Sequence, residues 1–179
     1  MKKIFIIIIA ILLCSCNNNT SARNEVYNYL NDFKNLNSNV KEEVEYIINS
    51  NVDYTVEQKK LYKDILYREY KSLKYDVISE EYDGDKALIK VNINVIDLNK
   101  AEEESLDYLS ENLKEFYNEE NIFDNEKYLS YKLNLMKKTT KSVDYEIIFY
   151  LEFRNGKWHL EQPTDSDLEK IHGIYKEEN

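Results

Sequence analysis

In 179 residues the chain has one proline, three glycines, two cysteines, two histidines and one tryptophan. So few glycines exclude a phosphate-cradling loop, which needs several residues free to adopt positive φ. The cysteines, Cys14 and Cys16, both sit at the extreme N-terminus. That placement excludes a disulfide scaffold and a cysteine-based metal site in the rest of the chain. No His-Glu-x-x-His or Gly-x-Ser-x-Gly pattern occurs. Basic residues are in deficit, 24 Lys+Arg against 34 Asp+Glu, for a net charge of −10. Such a chain has no basic footprint to neutralise phosphates, which argues against nucleic acid as a partner. What is plentiful is apolar surface, 42% of residues, enough for one domain with a real core. Asn, Lys, Ile and Tyr, all with A/T-rich codons, are favoured, so codon bias accounts for the 16 tyrosines without any ligand.

Met1, Lys2 and Lys3 precede an unbroken apolar run from Ile4 to Leu13. Ten residues fall short of the roughly 20 needed to span a bilayer and suit the apolar core of a secretory signal. The run ends in Leu13-Cys14-Ser15-Cys16 and turns polar at Asn17. This tetrad resembles the lipobox of bacterial lipoprotein signal peptides, with Leu13 at −3, the small Ser15 at −1 and Cys16 as the thiol. The resemblance implies lipid on Cys16 Sγ, cleavage after Ser15, and a protein held on the cell membrane or outer membrane, facing outside the cytoplasm. Plain secretion with a Cys14–Cys16 bridge is the alternative, and one intervening residue strains such a bridge. Residues 1–15 then form the signal, 16–24 a lipidated tether and 25–179 a single domain. Losing Lys2 and Lys3 with the signal takes the net charge to −12. An acidic domain is repelled by anionic headgroups, so acyl chains, at about 0.8 kcal/mol per buried CH₂, must hold it.

Helical periodicity opens the domain. Val26, Tyr29, Leu30, Phe33 and Leu36 recur on one face, and after a break at 35–39 the pattern resumes with Val40, Val44, Ile47 and Ile48. Thr55 with Gln58 forms a capping-box pattern for a third helix running to about Leu73. The period then changes to two. Strands over 74–82 and 86–97 flank Asp83-Gly84, with Ala87, Ile89, Val91, Ile93 and Val95 on one face. Asn99 with Glu102 starts a helix carrying Leu106, Leu109, Leu113 and Phe116, and Asp124 caps the next, with Leu129, Leu133 and Met136 inward. Strict alternation returns from Val143 to Phe153, turned by Asn155-Gly156 and continued by Trp158 and Leu160. Thr164 with Asp167 caps a last short helix ended by Gly173. Two hairpins that each bury one face need helices to cover them. The expected fold class is therefore α+β, an antiparallel sheet of about four strands covered by N-terminal and inserted helices.

The ending Asn155-Gly156-Lys157-Trp158-His159-Leu160, after N-terminal helices and two long hairpins, resembles the nuclear transport factor 2-like (cystatin-like) domains of small bacterial lipoproteins. The resemblance covers roughly residues 24–175. It implies a cone-shaped sheet with Trp158 on the concave face, and a fold that hosts enzymes, carriers and scaffolds alike. Two long helices between the hairpins, over about 99–140, depart from the family and would fill or cap the cone. If a pocket is kept, Tyr145, Phe149 and Trp158 line it, and its ligand is a small hydrophobic molecule or a glycan. If the core is sealed, a binding or scaffold module with an envelope protein partner remains. Catalysis, as a hydrolase or isomerase, would need a buried carboxylate facing the pocket, with Tyr145 and Asp97 as the nearest phenol and carboxylate.

Other groups have plainer readings. His159 falls on the outward phase of its strand, and His172 lies at a helix C-terminus, where an imidazolium is favoured by the dipole. Glu102-Glu103-Glu104 reads as a first-turn acidic cluster, and Asp165-Ser166-Asp167 as helix capping without the glycine of a calcium loop. No cofactor, metal ligand set or catalytic residue is assigned. Leu88, Ile96, Ile148 and Tyr150 fall on the outward phase of the two long strands. If those strands pair, they form an apolar patch that is either covered by the terminal helix or offered to a partner.

Overall fold

A computed structural model describes residues 21–177. The signal segment and Cys16 lie outside the described residues. Helices α1 (Ala22–Lys34), α2 (Ser38–Ser50) and α3 (Val56–Ser72) come first, then strands β1 (Lys74–Asp83) and β2 (Lys86–Ile96). Helix α4 (Leu98–Glu111), a 3-10 turn (Leu113–Phe116) and helix α5 (Asn125–Lys138) separate these from β3 (Ser142–Arg154), β4 (Lys157–Leu160) and α6 (Asp165–Ile171). The strands form one antiparallel sheet in the order β1-β2-β3-β4, an α+β fold.

Local signals account for most element ends. Ser21 caps α1 by accepting from Asn24 N, so the helix begins inside the segment expected to be tether. Thr55–Gln58 and Thr164–Asp167 form complete capping boxes, and Asp124 caps α5. Asn155 and Gly156 both take positive φ, the conformation that matches a two-residue hairpin to strand twist. Between α1 and α2, Leu36 takes φ of 51° and is nevertheless buried, its side chain joining the core.

The two hairpins join through the central pair β2–β3, with Ile89 opposite Phe149 and Val91 opposite Ile147. This pair closes a loop of 45 residues, 97–141, and places α4 and α5 between strands that are neighbours. Ala87, Ile89, Val91, Ile93 and Val95 all face the helices and are buried with Leu30, Phe33, Ile65, Leu66 and Tyr70. A register shift between Val77 and Ser79 leaves Ile78 as a bulge on the β1 edge, where a bulge discourages further strand pairing. The edge of β3 is only partly occupied by the four-residue β4. The segment around α6 guards the remainder: Lys170 Nζ donates to Glu146 O and the Tyr175 ring packs against Tyr145.

Of the inserted helices, α5 keeps its Asp124 cap and its inward Leu129, Leu133 and Met136, whereas α4 differs from the periodicity reading. Asp97, not Asn99, caps α4 by accepting from Lys100 N. The buried stripe is Leu98, Ala101 and Ser105, whereas Leu106 and Leu113 are exposed. The inner face is chosen by what packs on it: Ser105 Oγ meets Tyr128 OH of α5 at 3.2 Å, and Leu98 N donates to Gly173 O of the C-terminal segment. With the helix starting two residues earlier, Glu102, Glu103 and Glu104 leave the first turn. They pair instead with Lys132, Lys100 and Lys141, tying α4 to α5 and to the start of β3.

The C-terminus closes onto the β2–α4 junction. Gly173 O accepts from both Leu98 N and Asn99 N, two of the otherwise orphaned donors of α4. Gly173 takes φ of 67°, and a Cβ placed there would lie 2.1 Å from Ile96 O. At Gly84, φ is 60° and such a Cβ meets nothing within 4 Å. Gly84→Ala should therefore cost only left-handed strain, about 1 kcal/mol, and lower Tm by about 3 °C. Gly173→Ala adds a collision with backbone and should lower Tm by about 10 °C or more. Thermal melts of the two variants check this, and equal shifts would refute the close approach.

Candidate functional site

The groups with the most unusual protonation environment sit where α1, α2, α3 and α6 meet. Glu69 and Tyr70, near the end of α3, are both fully buried. Tyr70 OH lies 2.7 Å from His172 Nδ1, and His172 Nε2 lies 3.5 Å from Glu43 Oε1 on α2. Phenol, imidazole and carboxylate thus line up from the core to the surface. The Nδ1 edge of the ring shares a hydrogen bond with the phenol, and the Nε2 edge turns to Glu43. His172 is the C-cap residue of α6, as its place at a helix C-terminus led one to expect, but its side chain turns inward and is 7% exposed. Phe33 packs edge-on against both Tyr70 and His172. Burial, then the nearby Glu69 and Glu43 carboxylates, pushes the Tyr70 phenol far above the ordinary tyrosine range. Tyr29, close by, is raised for the same first reason.

Glu69 is the outlier. Neither carboxyl oxygen has a hydrogen-bond partner among the described residues. Burial raises its pKa well above 4.5 and Arg68 opposes the shift. Arg68 itself turns to α5, where its guanidinium donates to the carbonyls of Met136 and Lys137 and so caps the last turn. Its Nε is also buried without a partner, and burial lowers its pKa. A Cβ placed on Gly173 would lie 3.7 Å from Glu69 Cγ, so the carboxyl side chain sits next to the closure described above.

The structure distributes the residues singled out in the sequence over the length of the sheet. Tyr145 stands opposite Ile93, Phe149 opposite Ile89 and Trp158 opposite Phe153. All three share the helix-facing side, but Tyr145 and Phe153 are eight residues apart on β3, roughly 26 Å at strand rise. Phe149 is in the core, its ring edge-on to Tyr29 at 5.9 Å. Tyr145 is half-buried under Tyr175, its phenol pushed up to about 12 by burial and then by the charge of Asp97. The Asp97 carboxylate is engaged as the α4 cap. Trp158 lies at the hairpin-tip end, 5.7 Å from Tyr82 and 5.2 Å from Phe153 between ring centroids. His159 is exposed, with its Nε2 3.3 Å from Arg154 O.

Sequence reasoning did not reach Glu69 or its meeting with Tyr70 and His172. Glu69 sits in a helical pattern where the neighbouring Ile65, Leu66 and Tyr70 already mark the inner face, and that spacing was the available signal.

On the opposite side of the sheet, no helix covers the surface among the described residues. Leu88 faces Tyr150 across β2–β3, and Ile78, Ile148 and Tyr150 are exposed. Ile96 is different from the other patch residues, packing against the core near the α6 end. Helix α6 lies on the core side, with Ile171 buried, so it does not cover the patch. Clefts on the described surface are open ones. A notch of about 300 Å³ is lined by residues including Tyr82, Leu88 and Tyr150. A cleft of about 280 Å³ runs past Arg68, Lys74, Thr139 and Ser142 at the other end.

No family model and no curated protein matches the chain. Among solved structures it is similar to a Bacillus subtilis protein described as a "putative lipoprotein (ycdA)", at 15% identity over 77% of this chain, with a TM-score of 0.42. The chain spans about half that protein's length, 46%. No helix of the described residues is long and apolar enough to cross a membrane, and no group of three or more His, Cys, Asp or Glu among them is placed to hold a metal ion.

Glu69 makes stability depend on pH with a definite sign. Below 4.5 the carboxyl is neutral in folded and unfolded chains alike. As pH rises, the unfolded chain releases the proton first, so this group's contribution to stability declines until pH reaches the raised folded value. Glu69→Gln should remove that decline, a slope difference of up to about 1.4 kcal/mol per pH unit. Urea unfolding of both proteins from pH 4 to 8 measures it, and parallel curves would show that Glu69 is charged in the fold.

Proposed function

We propose that the protein is a lipid-anchored, extracytoplasmic module of the cell envelope that works by binding rather than by catalysis. The anchoring part rests on the basic start, the ten-residue apolar run and Leu13-Cys14-Ser15-Cys16. The binding part is carried by one observation: the polar groups best suited to chemistry, Glu69, Tyr70 and His172, are sealed in the core. A reacting molecule must come within hydrogen-bond reach of a general acid or base, and Tyr70 and Glu69 present no accessible surface to one. What the domain offers outward is the uncovered sheet face and the aromatic end around Trp158.

In this reading Cys16 carries the lipid and the acidic domain is displayed beside the membrane. Two or three acyl chains give durable attachment where one gives only marginal binding. Cys16→Ala should move the protein from the membrane fraction to the medium or soluble fraction without changing its melting temperature. The intact mass of the native protein should equal residues 16–179 plus two or three acyl chains. A variant that still pellets with membranes, or a native mass retaining residues 1–15, would overturn the reading.

A further inference from the structure

We infer that the hairpin-tip end of the sheet, the aromatic cluster of Tyr82, Phe153 and Trp158, rests on the lipid surface when the protein is anchored. This inference rests on the lipid attachment at Cys16 proposed above and adds a second, non-covalent membrane contact to it.

The placement follows from where the described chain begins. Ser21 caps α1, and four residues, 17–20, lie between it and Cys16, so that five Cα–Cα steps join the two. A chain of that length reaches at most about 17 Å. Two residues into the described fold, Arg23 Nη1 pairs with Glu80 Oε1 at 3.0 Å. The other oxygen of Glu80 accepts from Tyr82 OH at 2.8 Å. The Tyr82 ring meets Trp158 at 5.7 Å, and Trp158 meets Phe153 at 5.2 Å. An unbroken series of contacts therefore joins the start of α1 to the aromatic cluster.

From there α1 crosses the helix-facing side of the sheet, with Tyr27 against Tyr75 near the start of β1 and Tyr29 against Phe149 on β3. The far end of the sheet, at Lys74, lies six residues beyond Glu80, roughly 20 Å further along the strand. A tether of about 17 Å brings the near end to the bilayer surface before the far end.

The chemistry of this end suits an interface. Tyr82 is 52% exposed and Phe153 40%, so both rings present apolar surface to solvent at the tips. On the other face Tyr150, 52% exposed, and Leu88 extend the same surface around the tips. Rings with an apolar body and a polar tip collect at headgroup level, which describes Tyr82 and Trp158. The two turns between them carry Lys86, Arg154 and Lys157 beside Asp83, Asp85 and Glu152. Charges of both signs nearly cancel there, so apolar contact and not attraction to anionic lipid drives the docking. The rest of an acidic domain faces away from the membrane, which spares it the repulsion of anionic headgroups.

Trp158 is the single tryptophan of the chain and reports its own surroundings. The mature lipidated protein, purified from its membrane, is reconstituted into phosphatidylcholine vesicles with and without lipids brominated near the headgroup. The expected result is co-flotation with the vesicles, blue-shifted Trp158 emission and about a two-fold loss of intensity with the brominated lipids. Adding 0.5 M salt should leave that quenching unchanged, because the docking is apolar. The double variant Tyr82→Ser with Phe153→Ser should still float and lose most of the quenching, taken as the ratio with and without bromine. Protein that floats with Trp158 unquenched overturns the aromatic contact and leaves the anchor standing. Protein that does not float overturns the anchoring reading itself.

Discussion

The fold closes where the end of the chain lies across the end of β2. Gly173 brings its backbone against Ile96 O and offers its own carbonyl to the first two amides of α4, Leu98 and Asn99. Any side chain there would push the strand and the C-terminal segment apart. With the segment seated, Ile171 fills the core, His172 reaches Tyr70 and Glu69 is shut away from water. Three separate stretches of the chain, α3, the β2–α4 junction and the segment around α6, are fastened at this point, and α4 receives amide partners that its own sequence does not supply.

The same closure explains why polar chemistry is present but shut in. Tyr70 and His172 satisfy each other across the α3–α6 contact, a pairing stronger in a dry site than in water. Glu69 has no such partner, and its proton is the cheapest remedy for a carboxyl far from solvent. The sheet is covered on one side only. All its large buried side chains point to the helices, and the other side keeps Ile78, Ile148 and Tyr150 at the surface. The polar groups are thus shut inside, and the outer face of the sheet keeps a mixed apolar and charged surface.

Much of the fold was legible because the signals were local. Capping needs only residues three apart, so Thr55–Gln58, Thr164–Asp167 and Asp124 marked helix starts that the structure keeps. Asn155-Gly156 marked its turn because few residues tolerate positive φ. The alternation of β2 and β3 showed which side chains face inward, and their pairing agrees. Helix α4 was misread because Leu106 and Leu113 look like an inner face by spacing alone. Ala101 and Ser105 face inward instead, a choice made by what α5 and the C-terminal segment pack on that face. The three glutamates were misplaced by a two-residue error in the helix start, and the partners of Glu102 and Glu104, Lys132 and Lys141, lie 30 and 37 residues away.

The candidate site was less legible than the fold. Tyr145, Phe149 and Trp158 were grouped because alternation puts them on one face, which holds, yet a face roughly 26 Å long does not make one pocket. His172 looked like a capping residue and is one, but its ring turns inward to Tyr70, 102 residues earlier in the chain. Composition, periodicity and capping by themselves determined the α+β class, the strand and turn positions and the absence of a phosphate loop, because these depend on neighbours in the chain. Only the tertiary structure decided that Glu69 is buried without a partner, that α6 leaves the outer face uncovered and that the start of α1 sits beside the aromatic tips. Those outcomes depend on which surfaces meet, and each is set by contacts between residues that sequence spacing does not relate.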